Sequence, residues 1–314
     1  MLDLSQLIQQ KNILLAVFGG AAVASFAVWV MSRRKRQKTE YELVGEVTAL
    51  HCYPVKSLTG ISHNVGFCTF SGIRTMNAVD RQFVIVRHNG DFITQRQVPR
   101  MVAIKTKCEG DYLHFQADGM PDIKVPLNPK EDKAAIRSCR VWQDQTLAQD
   151  CGEEISQWLS EFLQETSLRL LVVTPVIKNR SCKVNSATGK DTLLFQDEGP
   201  YLLATEESLA DLLEKIDSPA REEINMSNFR PNIVIRCSKG PWDEDNWSHI
   251  LIGKNLKMRV LAPMGRCVLT TVNSKTLKRR EDGEPLKTLR RLPTFAVCGL
   301  GERPHQPMVR WHEG

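Results

Sequence analysis

The sequence lacks the closely spaced cysteine and histidine pairs that build zinc sites, and it lacks a regular cysteine framework. Its nine cysteines are widely scattered without a Cys-x-x-Cys pair, and its seven histidines show no His-x-x-x-His spacing. An odd number of scattered cysteines argues against structural disulfides and favours a reducing compartment. A zinc site is not expected, because zinc ligands usually come in short-range pairs.

The chain also has little excess of positive charge outside one block. Its 42 basic and 36 acidic residues give a net charge of +6, and part of that excess lies in residues 33–38. Because the remainder is nearly neutral, we expect no nucleic-acid partner. The 314 residues, 42% of them apolar and 25% charged, describe a globular chain that is long enough for two domains.

One long uncharged run lies near the start of the chain. Residues 13–31 (ILLAVFGGAAVASFAVWVM) contain nineteen residues without a charge, which is about the length of a helix that crosses roughly 30 Å of hydrocarbon. A cleaved secretory signal and a buried core helix are the alternatives. Since the basic block follows the run and only Lys11 precedes it, the positive-inside rule predicts a single-pass anchor with residues 32–314 in the cytosol.

Short strand-like segments and two helices account for most of the remaining chain. Asn89-Gly90 is a hairpin signal, Ile155 begins a helical apolar pattern, and Thr205 suits the N-cap of a second helix. Residues 178–190 are expected to form a long loop, and residues 292–314 show no convincing periodicity and are expected to be loosely structured. Strands are predicted at residues 44–53, 83–87, 102–108, 112–115, 168–173, 233–235 and 256–261.

Cys267 is the candidate reaction centre. It follows Gly265 and Arg266, and a cationic neighbour lowers a thiol pKa while glycine permits the close approach of a ligand. The local sequence alone leaves three interpretations open, namely a small buried hydrophobic residue, a nucleophile and a metal ligand.

Several separate basic residues indicate an anion-binding site only when they are considered together. Lys56 and Ser57 follow the end of a predicted strand and could hold an anion, although a solvated lysine is the simpler interpretation. Arg81 could bind a phosphate or merely pair with Asp80. Arg230 lies between an aromatic residue and a proline just before an apolar strand, and it is expected to point into a cleft.

Six motifs, taken in order, resemble those of the MOSC-domain proteins, and in particular of the amidoxime-reducing members of that family. The resemblance extends from about residue 44 to about residue 289. The motifs are Tyr53-Pro54-Val55-Lys56-Ser57, Asp80-Arg81, Thr94-Gln95-Arg96-Gln97-x-Pro99-Arg100, Asp150-Cys151-Gly152-Glu153, Asn228-Phe229-Arg230-Pro231-Asn232 and Arg266-Cys267-x-Leu269-Thr270-Thr271-Val272.

The resemblance implies a mainly β fold with some α (α+β), in which a MOSC-type β-barrel domain follows an N-terminal MOSC-like β domain. A transmembrane helix would precede both. Residues 292–314 do not resemble the strands with which relatives close the barrel, so an open sheet edge is expected there. The implied divisions are a tail (1–12), an anchor (13–31), a basic tether (32–42), the N-terminal domain (43–175), the MOSC domain (176–291) and an atypical C-terminus (292–314).

The resemblance also implies a molybdenum cofactor, molybdenum-molybdopterin, and assigns residues to it. Cys267 would be the metal ligand and the catalytic residue. Gly199 stands where relatives often carry a hydroxyl residue, so no side-chain contact is expected from it. The implied cofactor-binding residues are Lys56, Ser57, Arg81, Asp197, Gly199, Arg230, Asn232, Arg266, Thr270 and Thr271.

The implied activity is the reduction of N-hydroxylated compounds such as amidoximes, hydroxylamines and N-hydroxyguanidines. Electrons would come from NADH through NADH-cytochrome b5 reductase and cytochrome b5, at the outer mitochondrial membrane. The alternatives are a sulfur carrier with a persulfide on Cys267 and an inactive membrane-tethered scaffold. Pyridoxal phosphate is not expected, because the chain has no room for the desulfurase domain to which some MOSC domains are fused.

Overall fold

The computed structural model describes residues 41–292 and, as backbone, residues 307–310. Three helices lie in this part of the chain, α1 (Glu153–Leu163), α2 (Glu206–Lys215) and the short α3 (Leu286–Leu289). The strands are β1 (Glu42–Cys52), β2 (Ile61–His63), β3 (Phe67–Thr69), β4 (Gly72–Arg74), β5 (Phe83–Val86), β6 (Lys105–Glu109), β7 (Tyr112–Gln116), β8 (Ile123–Pro126), β9 (Ile136–Val141), β10 (Asp144–Asp150), β11 (Arg169–Val172), β12 (Arg180–Ser181), β13 (Thr192–Leu193), β14 (Leu203–Thr205), β15 (Ile233–Cys237), β16 (His249–Ile252), β17 (Leu256–Arg259), β18 (Val272–Asn273), β19 (Lys278–Arg279) and β20 (Pro307–Arg310).

The largest sheet combines strands from the two ends of the described chain. Its order is β14-β15-β1-β20-β16-β17, and β2 also pairs with β1. Strand β1 runs antiparallel to β15 from Gly45 opposite Cys237 to Leu50 opposite Ile233, with a bulge between Val47 and Ala49. The first strand therefore lies inside a sheet whose other members, apart from β2, come after residue 200.

A second sheet and a three-stranded meander form most of the N-terminal half. Their orders are β5-β11-β10-β9 and β6-β7-β8. All four residues of β5 are buried, as expected for a strand covered on both faces. Helix α1 packs against this part of the core through the apolar side chains Ile155, Trp158, Leu159, Phe162 and Leu163.

The two helix predictions are confirmed. The apolar residues of α1 recur at the spacing of one helical face, and the helix begins with two glutamates in its first turn. Thr205 is the N-cap of α2, where its side chain accepts a hydrogen bond from the N–H of Ser208. Such a cap stabilises a helix by about 1 kcal/mol.

The strand predicted at residues 102–108 begins later than expected. Pro99–Ala103 instead forms a 3-10 helix, and β6 starts at Lys105. Proline favours the first position of a helical turn, and this turn buries Met101 in the core.

The predicted fold class needs a correction. Within residues 41–292 and 307–310 no helix is long and apolar enough to cross a membrane. The fold of the described residues is mainly β with some helix, and the transmembrane helix in the predicted fold class is not supported. The predicted tail, the apolar run 13–31 and the tether up to residue 40 lie outside the described residues.

The expectation of a loose C-terminal segment is wrong at residues 307–310. These four residues form β20, which lies between β1 and β16 and is parallel to both. The pairing satisfies backbone groups that would otherwise form an open edge. Periodicity could not reveal it, because parallel partners are distant in sequence.

Candidate functional site

Ten of the eleven sequence-predicted site residues line one cavity of about 720 Å³. The exception is Thr271, whose hydroxyl donates to the carbonyl of Val268 at 2.7 Å and which lines a neighbouring groove. The ten residues are Lys56, Ser57, Arg81, Asp197, Gly199, Arg230, Asn232, Arg266, Cys267 and Thr270.

Three of these positions have an unusual backbone. Ser57, Arg81 and Arg230 have φ angles of 66°, 50° and 58°, in the left-handed region. For residues other than glycine this conformation costs about 1 to 3 kcal/mol and persists only where surrounding contacts fix it. One such contact is the hydrogen bond from the N–H of Arg81 to the carbonyl of Tyr53, at 2.7 Å. The concentration of strain in one cavity is typical of functional sites.

The guanidinium groups of Arg81 and Arg230 both contact the ring of Tyr53. Their Cζ atoms lie 4.3 and 4.4 Å from the ring centroid, and the tyrosine itself is buried. Each cation–π contact of this kind stabilises by about 0.5 to 2 kcal/mol. The tyrosine ring therefore holds two like charges close together at the cavity.

Asp80 fixes the first of these arginines. Its carboxylate is fully buried, and both oxygens accept from Nη1 of Arg81 at 2.6 Å. Oδ1 also accepts from the N–H of Tyr53 and from Nδ2 of Asn232, each at 2.9 Å. Because Nδ2 of Asn232 donates to His51 as well, and its Oδ1 accepts from the N–H of Leu202, the Asn232 amide is occupied in positioning Asp80.

Arg230 has an unused donor. Nη1 donates to the carbonyl of Leu58 at 2.5 Å, whereas Nη2 is buried and has no partner among the described residues. Burial, reinforced by the nearby charge of Arg81, lowers the pKa of Arg230 to about 10. A buried guanidinium with a free N–H and a cationic neighbour is a site that an anion would stabilise.

Lys56 is paired within the protein. Its Nζ donates to Asp197 Oδ1 at 2.6 Å and to the carbonyl of Phe195 at 2.7 Å, while Trp142 Nε1 donates to the same Asp197 oxygen at 2.6 Å. Burial lowers the pKa of Lys56 despite this carboxylate. Burial would raise the pKa of Asp197, but Lys56 and Trp142 outweigh it and hold this pKa at about 2.

Cys267 is exposed and immediately precedes the 3-10 helix Val268–Thr271. Its carbonyl accepts from both the N–H and the hydroxyl of Thr270, at 3.1 and 2.9 Å, so the start of this helix fixes the cysteine backbone. A side chain at Gly265 would meet no atom within 4 Å. The glycine therefore leaves open space next to Arg266. Burial lowers the pKa of Arg266.

Two site residues escaped sequence reasoning. Tyr53 belongs to a quoted motif, but its ring contact with two arginines was not foreseen. Trp142 reaches Asp197 across 55 residues of sequence, and its positive φ of 57° is the one local peculiarity of its backbone. Because a backbone angle cannot be read from the sequence, no local pattern marked Trp142 as a site residue.

The residues fit a cofactor that carries a phosphate and most of its own metal ligands. The unpartnered Nη2 of Arg230 and the adjacent Arg81 suit a phosphate. Within residues 41–292 no group of three or more His, Cys, Asp or Glu residues is placed to hold a metal ion. A metal at this cavity would therefore take fewer than three such ligands from the described residues, and the thiol of Cys267 offers a soft donor.

This fold and site define a MOSC-domain protein. Residues 44–166 match the MOSC N-terminal beta barrel domain, and residues 190–307 match the MOSC domain. The chain is 35% identical to mitochondrial amidoxime-reducing component 1 of Mus musculus over 291 residues, which cover 92% of this chain and 82% of that protein. It is also 35% identical to the Homo sapiens protein of that name over 294 residues, covering 92% and 83%.

Mitochondrial amidoxime reducing component 2 of Rattus norvegicus is 33% identical over 282 residues, covering 88% of this chain and 81% of that protein. The chain belongs to the family of the mitochondrial amidoxime-reducing components.

Proposed function

We propose that this protein is a molybdenum-dependent reductase of N-hydroxylated compounds such as amidoximes, hydroxylamines and N-hydroxyguanidines. The observation that carries the proposal is the shared cavity, in which the exposed thiol of Cys267 lies together with the buried arginine pair Arg81 and Arg230. Membership of a family whose members are named for amidoxime reduction supplies the substrate class.

The overall reaction balances as an amidoxime, NADH and a proton giving an amidine, NAD⁺ and water. Cytochrome b5 reductase and cytochrome b5 would pass the two electrons on singly. When bound, the molybdenum cofactor supplies the redox centre that removes oxygen from nitrogen. The name of the relatives supports a mitochondrial location.

The chain's own residues would hold and orient the reactants. Cys267 would provide the thiolate ligand, with Arg266 next to it in the chain. Arg81 and Arg230 would bind the phosphate of the cofactor through charge-assisted hydrogen bonds. The ion pair of Lys56 with Asp197 would give a fixed polar wall to the same cavity.

Apolar side chains form another part of the cavity wall, and they would contact the organic part of the substrate and exclude water from it. Phe70 is 65% exposed at the β3–β4 turn, so its ring is available to a bound aromatic group. The other members of this wall are Val184, Tyr201, Leu261, Pro263 and Met264.

The decisive experiment compares two cysteine variants of the full chain loaded with cofactor. Cys267→Ser should lower benzamidoxime reduction by more than about 100-fold and reduce molybdenum per chain, because even outer-shell partners of a metal cost about 10- to 100-fold. Cys182→Ser is the matched control, since Cys182 is partly exposed but does not line the cavity, and it should keep its activity.

Undiminished turnover in Cys267→Ser would contradict the proposal. A sulfur carrier remains the second candidate, because an exposed thiol beside an arginine also suits a persulfide. Purified protein that contains neither molybdenum nor pterin, but carries a persulfide on Cys267 by mass spectrometry, would favour that candidate instead.

A further inference from the structure

A second concave surface, here called the basic groove, lies directly behind the Cys267 loop. It has a volume of about 570 Å³, and five cations line it together with the single acid Asp282. The carboxylate of Asp282 is already engaged, since it accepts from the hydroxyl of Ser218 at 2.7 Å and from the N–H of Glu284 at 3.0 Å. The five cations are Arg279, Arg280, Lys287, Arg290 and Arg291.

Four of these cations are exposed, whereas Arg280 is mostly buried, and Asp282 offsets part of the positive charge. Helix α3 buries Leu286 and Thr288, so Lys287 faces solvent. Arg280 forms an ion pair with Glu223, but Lys287, Arg290 and Arg291 form none with any residue in the described ranges 41–292 and 307–310. Uncompensated charges of one sign in a concave surface raise the local concentration of an oppositely charged partner.

The groove shares parts with the candidate site. Val268 and Thr271 line the basic groove, and they belong to the 3-10 helix that follows Cys267. Leu286 and Arg290 line both the groove and the cavity that contains Cys267. A molecule seated in the groove would therefore contact the residue adjacent to the candidate metal ligand.

We propose that the basic groove docks the acidic face of the protein that delivers electrons to this enzyme. This inference rests on the proposed function, which requires a one-electron donor. In each docking event a reduced haem iron gives up one electron and becomes ferric, so two events supply the two electrons of one turnover. A concave surface suits the projecting carboxylates of a protein better than a flat anionic bilayer, and four exposed cations exceed what a single phosphate engages.

The test uses the full-length holoenzyme, with the haem domain of cytochrome b5 as the probe. In the variant Lys287→Glu/Arg291→Glu, the KM for cytochrome b5 should rise about tenfold or more at low ionic strength, and added salt should weaken binding of the wild type but not of the variant. Turnover with dithionite-reduced methyl viologen, a small donor that needs no docking site, should stay unchanged.

The matched control is Lys130→Glu/Lys133→Glu, which changes the charge equally at two exposed lysines of the N-terminal half. An equal rise of the KM in this control, or an unchanged KM in the groove variant, would overturn the proposal. So would carbodiimide cross-links to cytochrome b5 that map to lysines other than Lys287. Loss of binding to anionic lipid vesicles, with the KM for cytochrome b5 unaltered, would assign the groove to a membrane instead.

Two further measurements distinguish a variant that does not fold, and a failure of the proposed function, from a failure of the docking proposal. If Lys287→Glu/Arg291→Glu does not fold, the neutral pair Lys287→Gln/Arg291→Gln should raise the same KM by a smaller factor, and no rise would reject the groove. If the wild type reduces no benzamidoxime even with methyl viologen, the proposed function fails, while the Kd for cytochrome b5 in wild type and variant still decides the docking question.

Discussion

Replacing Tyr53 tests whether its ring holds the two arginines at the cavity. In the wild type the guanidiniums of Arg81 and Arg230 lie 4.3 and 4.4 Å from the ring centroid of Tyr53. In Tyr53→Leu both cation–π contacts disappear, because the ring that both arginines contact is removed. Two such buried contacts contribute about 2 kcal/mol, and the smaller side chain removes about 1 to 2 kcal/mol more through lost packing. The free energy of unfolding should therefore fall by about 3 to 4 kcal/mol.

Urea unfolding followed by tryptophan fluorescence measures this loss, with Tyr53→Phe as the matched control. Phenylalanine keeps the ring and both cation–π contacts, so its stability should stay within about 1 kcal/mol of the wild type. Molybdenum and pterin per chain provide a second readout, and only the leucine variant should retain less cofactor, because only there do the arginines lose their fixed positions. Equal stability and equal cofactor content in the two variants would refute the reasoning.

Three shorter predictions concern charge, backbone space and thiol reactivity. The ion pair holds the pKa of Asp197 at about 2, below its ordinary value of 3.8. The contribution of Asp197 to stability is therefore present above pH 3.8 and is lost as the pH falls toward 2. In urea titrations the stability difference between wild type and Asp197→Asn should shrink from about pH 5 to about pH 2.5. In the same assay Gly45→Ala should lower the free energy of unfolding by at least about 2 kcal/mol, since its Cβ would lie 2.0 Å from a carbonyl oxygen of β15. Gly265→Ala should change this free energy by no more than about 0.5 kcal/mol. Equal effects of the two substitutions would contradict the geometry. In protein purified without cofactor, iodoacetamide should alkylate exposed Cys267 well before Cys151, whose pKa is raised by burial. Peptide mass spectrometry that finds the reverse order would contradict these environments.

Local sequence patterns anticipated the helices and most strands, because these depend on residues a few positions apart. The face of α1 and the Thr205 cap are of this kind. Strand β20 was missed, since its partners lie more than 50 residues away in sequence. Gly265 suggested an unusual backbone, but its significance in the structure is the open space around it.

The residues of the site could be predicted only from the family resemblance. Arg81 and Arg230 are 149 residues apart, and Lys56 and Asp197 are 141 apart, so no local pattern brings them together. The resemblance named the cations but not what supports them. The ring of Tyr53, the buried carboxylate of Asp80 and the indole of Trp142 are visible only when the chain is folded, because each acts through contacts that span tens of residues.

The position of β1 inside the largest sheet determines where this chain can be divided. The strand lies within the segment that matches the N-terminal domain, yet it pairs with β15 from the MOSC segment. The described residues from 42 onward accordingly belong to one compact unit. If the MOSC segment of this chain were cut out alone, it would expose the edge of β15 to aggregation. A truncation that is meant to fold should therefore keep β1 together with the MOSC segment.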